Sequence, residues 1–64
     1  MILVNGEPHG EVAMTVAALL NEMSIDQRGI AVAIDGEVVH RSEWTEVMVR
    51  DGVRVEIVTA AAGG

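Results

Sequence analysis

Apolar and polar positions along the chain fall into short strands arranged around a single helix. Met1-Ile2-Leu3-Val4 is an apolar run that stops at Asn5-Gly6. That pair is favoured in a two-residue type I′ hairpin turn, where both central residues need positive φ. A second strand is expected from Glu7 to about Val12. Pro8 and Gly10 mark it as an edge strand, where a missing amide donor does no harm. Thr15 has the chemistry of a helix N-cap, with a hydroxyl able to accept from an early backbone N–H. Behind it, Val16, Leu19, Leu20 and Met23 fall at i, i+3, i+4 and i+7 and form one apolar stripe. Met14, just before the cap, is placed to meet Leu19 as a hydrophobic staple. Asn21 and Glu22 take the water side. The pattern predicts about three turns of helix, ended by the polar stretch Ser24 to Gly29.

Ile30-Ala31-Val32-Ala33-Ile34 alternates large and small residues, which turns Ile30, Val32 and Ile34 toward the helix. Asp35-Gly36 repeats the hairpin signal, and Glu37-Val38-Val39 returns as a strand. Ser42-Glu43-Trp44 reads as a short turn or 3₁₀ segment with Ser42 as its cap. Trp44 is the only aromatic residue and is expected to plug one end of the core. After the turn at Asp51-Gly52, Val53, Val55 and Ile57 point to one face, and Arg54, Glu56 and Val58 to the other.

The order strand, strand, helix, strand, strand, strand describes an α+β architecture of the β-grasp kind, a mixed sheet packed on one helix. The first and last strands are expected side by side and parallel at the sheet centre. That position accounts for their being apolar on more than one face. The domain is expected to occupy residues 1–58. From Thr59 the chain drops to small residues, Ala60-Ala61-Ala62-Gly63-Gly64, which cannot anchor on a core; residues 59–64 are therefore expected to form a flexible C-terminal tail.

Size narrows the range of functions. A 64-residue domain buries roughly 60% of the surface its unfolded chain exposes, so little room remains for a deep substrate pocket. A self-contained enzyme is not expected. Cysteine is absent, which excludes disulfides, thiolate metal sites and a cysteine nucleophile, and which suits an intracellular chain. Met1 leads straight into apolar residues with no basic start or cleavage site, and no apolar run approaches the roughly 20 residues that span a bilayer. A soluble cytoplasmic protein without a membrane partner is expected. Ten acidic residues against four arginines give a net charge of −6, with no lysine at all. Nucleic acid, which needs a basic patch, is excluded as a partner. The acidity serves solubility and can steer the chain toward a basic surface.

His9 and His40 stand apart without metal-ligand spacing, and no metal site is expected. Ser24 and Ser42 lack a His/Asp arrangement that would activate them. What remains is the tail. Glycines without Cβ atoms let a backbone enter a narrow channel and lie close to another protein's catalytic groups, leaving the terminal carbonyl unshielded. A C-terminal carboxylate is ionised and unreactive at neutral pH, so a partner must activate it. The expected docking face is the side of the sheet turned away from the helix, near Leu3 and Val58, with Glu56 facing a basic rim.

With these residues in view, the chain resembles the ThiS family, the sulfur carriers of thiamine thiazole synthesis. The matching pieces are Asn5-Gly6-Glu7, Thr15-Val16 with Leu19-Leu20, Ala33-Ile34, Val38-Val39-His40-Arg41-Ser42-Glu43-Trp44, Asp51-Gly52 with Val55-Glu56-Ile57, and Gly63-Gly64. His40 stands where the family often has proline, and Val53 where an acidic residue is usual. The resemblance implies a cycle centred on Gly64. A ThiF-like adenylating enzyme, using ATP and magnesium, would adenylate the Gly64 carboxylate. A sulfur donor fed by a cysteine desulfurase would convert it to a thiocarboxylate, and a ThiG-like thiazole synthase would take the sulfur. Ala60, Ala61, Ala62 and Gly63 would thread the partner's channel. The chain itself would carry no cofactor and no catalytic residue. Other readings of the same residues are a molybdopterin-type (MoaD-like) sulfur carrier, a ubiquitin-like protein modifier and a plain β-grasp interaction module.

Overall fold

A computed structural model describes residues 1–59 and resolves the pattern into seven strands and one helix. In chain order these are β1 (Ile2–Val4), β2 (Glu7–Gly10), β3 (Met14–Thr15), α1 (Val16–Glu22), β4 (Ile30–Ile34), β5 (Glu37–Val39), β6 (Met48–Val49) and β7 (Arg54–Thr59). A 3₁₀ turn, Arg41–Glu43, lies between β5 and β6. The main sheet has the order β2-β1-β7-β4-β5. β1 and β7 pair in parallel, Leu3 against Arg54 and Val4 against Val55, while the other neighbours are antiparallel. Both expected hairpin turns form with positive φ at their two central residues: 51° and 84° at Asn5-Gly6, 49° and 88° at Asp35-Gly36.

The second strand is shorter than its sequence suggests. It stops at Gly10, which faces Ile2, the first residue of β1; just before, the pairing slips, Leu3 facing Pro8, so His9 is the extra residue of a β-bulge. Gly10 then takes φ 124°, and Val12 is left exposed. His9 is not isolated, since its Nε2 lies 2.8 Å from Glu22 Oε1 at the end of α1.

α1 has about two turns rather than three. Met23 is its C-cap, and Ser24 follows at φ 58°. Its first amides, which have no partner inside a helix, are all satisfied. Val16 N donates to Val47 O (2.9 Å), Ala17 N to Trp44 O (2.8 Å) and Ala18 N to Thr15 Oγ1 (3.1 Å). The expected N-cap at Thr15 is therefore in place, and Thr15→Ala is expected to cost about 0.5–2 kcal/mol in urea denaturation, since Ala18 loses its acceptor.

The sequence reading lacked a second, two-stranded sheet. Met14 pairs with Val49 and Thr15 with Met48, which joins the helix entrance to the segment after the 3₁₀ turn. Ser42 does not cap that turn; the capping position is His40, which makes no side-chain bond. The turn closes through backbone bonds, Glu43 N to His40 O and Trp44 N to Arg41 O. The Arg41 guanidinium lies 4.8 Å from the centre of the Trp44 ring and donates to Gln27 O at 2.6 Å, so it ties the loop after α1 to this corner.

The core lies between one face of the main sheet and α1. Ile2 and Val4 of β1, Val32 of β4 and Val55 of β7 meet Val16, Leu19 and Leu20 of α1, with Trp44 and Val49 closing one end. Ile30, Ile34, Val39, Val53 and Ile57 pack around them half-buried. Every predicted inward residue of β4 and β7 is thus on the core side.

Candidate functional site

β7 is the middle strand of the main sheet and leads into residues 60–64. Thr59, which the composition change assigns to the tail, is its last residue and pairs with Ile30. Ala60, Ala61, Ala62, Gly63 and Gly64, the expected channel segment and reactive end, lie outside the described residues.

Because side chains alternate along a strand, Arg54, Glu56 and Val58 leave β7 on the face away from α1. The register carries that face across the sheet. Leu3 of β1 stands beside Arg54, with Pro8 of β2 beyond it. Ala33 of β4 stands beside Glu56, and Ala31 beside Val58. Val38 of β5 stands beside Ala33. Leu3, Glu56 and Val58 therefore share one face, although 53 positions separate Leu3 from Glu56 in the sequence. Val58 is 57% exposed and Val38 68%. Between them the two alanines leave a shallow trough of about 170 Å³ lined by Ala31, Val32, Ala33, Val38, Glu56 and Val58. Val38 and Val58 are thus two large apolar side chains held open to water on one face, on either side of the trough.

Ala31, Ala33 and Val38 are not among the residues that the sequence assigns to the docking face. Their signal was present in the alternation of Ile30 to Ile34: turning the isoleucines inward turns the alanines outward. A second depression, of about 350 Å³, lies between the β4–β5 hairpin and β6. Its carboxylates are Asp35, Glu37 and Glu43, over a floor that includes Ile34, Val39 and Val47. Asp35 has a structural task there, because its Oδ1 accepts from Arg54 N at 2.9 Å and so fixes the hairpin to β7.

Electrostatic chemistry is sparse. Arg28 holds the Asp26 carboxyl below its ordinary pKa through a side-chain pair and its backbone amide, in the exposed loop after α1. This contact orders a loop and lies off the outer face of the sheet. Among the described residues, no group of three His, Asp or Glu side chains is close enough to hold a metal ion. No helix of the described residues is long and apolar enough to cross a membrane.

A mixed five-stranded sheet with parallel central strands, wrapped over one helix, is a β-grasp domain of the ubiquitin-like kind. The ThiS family model matches residues 2–64, and the chain belongs to that family. Among its relatives, the sulfur carrier protein ThiS of Thermus thermophilus is 34% identical over 64 residues, covering the whole of both chains. A thiazole synthase of Paramagnetospirillum magneticum is 41% identical over 64 residues; the match takes in 98% of this chain and only 20% of that protein. The crystal structure of a thiamine biosynthesis protein (ThiS) from Geobacter metallireducens superimposes with a TM-score of 0.84 at 31% identity, over 98% of this chain and 97% of that one.

Proposed function

We propose that this chain is a sulfur carrier of thiamine thiazole synthesis and bears its sulfur as a thiocarboxylate on Gly64. The observation that carries the reading is the extent of the family match, which runs over the folded body and the Gly63-Gly64 end together. The body contributes a contact face, and the tail contributes the reacting atom. A ThiF-like enzyme, with its ATP and magnesium, joins the Gly64 carboxylate to AMP and releases pyrophosphate. The acyl carbon is then an electrophile: the outer persulfide sulfur of a desulfurase-fed donor displaces AMP, and a thiol then cleaves the acyl disulfide so formed, leaving the thiocarboxylate on Gly64 and the donor in a disulfide with that thiol. A thiazole synthase is the acceptor. A segment resembling this chain within the Paramagnetospirillum thiazole synthase supports that pairing. Without cysteine the carrier offers no thiol to compete for the acyl group, and without lysine no side-chain amine to trap it. The cytoplasm, with its reduced thiols and ATP, is the proposed compartment.

The test is mass spectrometry of the intact protein after incubation with an activating enzyme, ATP and a sulfur donor. The protein should gain about 16 Da, the difference between sulfur and oxygen in an acyl group opened by a nucleophile. Fragmentation should place the gain on Gly64. A gain elsewhere, or none with an enzyme active on another carrier, overturns the reading.

A further inference from the structure

The parallel ladder between β1 and β7 does not end where β1 ends. Leu3 N donates to Val53 O at 3.1 Å, and Asn5 N donates to Val55 O at 2.8 Å. The next rung belongs to Ile57, and at that point the chain has already turned away through Asn5-Gly6. The rung is filled by a side chain. Asn5 Oδ1 accepts from Ile57 N at 2.8 Å, and Asn5 Nδ2 donates to Ile57 O at 3.2 Å. A carboxamide carries the same donor and acceptor as a peptide group, so it can replace a strand residue and engage both backbone groups of Ile57 at once. Asn5 sits at φ 51°, a left-handed conformation that asparagine tolerates better than most residues, so the same residue makes the turn and continues the strand.

We propose that Asn5 is a positioning residue for the C-terminal segment: by clamping Ile57 it fixes the direction of the end of β7, from which residues 60–64 continue. Without it, the β1 side of β7 would be unpaired from Ile57 onward, and the last residues before the tail would be held only through β4. Asn5 is exposed, so water can serve Ile57 in its absence. The loss falls on alignment and local order rather than on global stability. Alignment matters because reacting groups a small distance out of place lose much of their rate. The inference rests on the proposed activation of Gly64 for its enzymatic part, and on the two hydrogen bonds for its structural part.

Asn5→Gly separates the two tasks, because glycine accepts the positive φ while removing the carboxamide. In Asn5→Gly, Ile57 amide exchange should accelerate by more than about tenfold, with Val32 and Val55 close to wild type, as expected of a local opening. The ¹⁵N order parameters of Val58 and Thr59 should fall. In pyrophosphate exchange with an activating enzyme, kcat should drop by about 10- to 100-fold while KM changes little, because the docking face is intact. Asn5→Asp retains the acceptor for Ile57 N and should keep that amide slow to exchange. Unchanged Ile57 exchange in Asn5→Gly overturns the clamp. A raised KM at constant kcat overturns positioning and assigns Asn5 to docking. Uniform loss of protection across the sheet also overturns it, as a general loss of stability. If the wild-type protein supports no exchange, the proposed function fails, and amide exchange and order parameters decide the clamp on their own.

Discussion

Trp44→Ala is expected to lower the stability of this domain by about 3–5 kcal/mol, the range for removing a large buried aromatic ring. The ring is 3% exposed, and its Nε1 donates to Val39 O at 3.1 Å. It therefore closes the core while satisfying a carbonyl of β5. Its backbone carbonyl also receives Ala17 N, so the corner it holds is the one that supports the start of α1. At about 0.05–0.15 kcal/mol per residue, a 64-residue domain has roughly 3–10 kcal/mol in total. The loss is a large share of that total, and all of it at the lower end of the range. Urea denaturation followed by far-ultraviolet circular dichroism measures this without relying on the fluorophore that the mutation removes. Trp44→Phe, which keeps most of the volume but loses the Nε1 hydrogen bond to Val39 O, should lose about 0.5–1.5 kcal/mol. A midpoint near wild type in Trp44→Ala would place the ring outside the core.

The second large effect concerns recognition. A synthetic Thr59–Gly64 peptide should be a very poor substrate for adenylation compared with the intact protein, by on the order of 100-fold or more. Ordering each of its residues in a channel costs about 1–2 kcal/mol of backbone entropy. Its side chains, one hydroxyl and three methyls, bury too little apolar surface to offset that. On the proposed function, the body docks first and presents residues 60–64 at high effective concentration. Val58→Asp, on the outer face where Val58 is 57% exposed, should raise KM by about tenfold or more, which corresponds to about 1.4 kcal/mol of lost contact. Its stability in urea should fall by no more than the loss of β-propensity explains, about 1 kcal/mol. Pyrophosphate exchange at matched concentrations reads both. A peptide as active as the protein would reduce the domain to a handle.

Much of this fold is legible in residue order. Asn5-Gly6 and Asp35-Gly36 fix two hairpins because so few residues accept positive φ twice in succession. The stripe from Val16 to Leu20 fixes the buried side of α1, and the alternation in β4 and β7 fixes both faces of the sheet centre. The features that escaped are those whose cause is long-range. β3 and β6 are two residues each and show no alternation; they exist because the helix entrance and the segment after Trp44 are brought together by the core. The bulge at His9 depends on a slip in pairing that the composition of Glu7 to Gly10 does not encode by itself. Ser42 has the chemistry of a cap, but the backbone closes its turn from His40, two positions earlier than that chemistry suggests. Of the candidate site, Leu3, Glu56 and Val58 were readable as a face from period-2 patterning. The trough between Val38 and Val58 needed the register of β4 against both neighbours. Asn5 was readable as a turn residue but not as a strand mimic, since nothing local says that its amide meets Ile57.

The borders of the main sheet bear on how anything can join it. At one border β2 carries Pro8, which has no amide to offer, and the His9 bulge, which skews the row of backbone groups. At the other, β5 is only three residues long and begins with Glu37. Neither border invites a further strand from another chain, so the sheet resists lateral growth of the kind that seeds fibres. Its face away from α1, where Val38 and Val58 stand among Arg54 and Glu56, stays open by contrast. A molecule built this way can be pressed against and released many times without being stitched into what it touches.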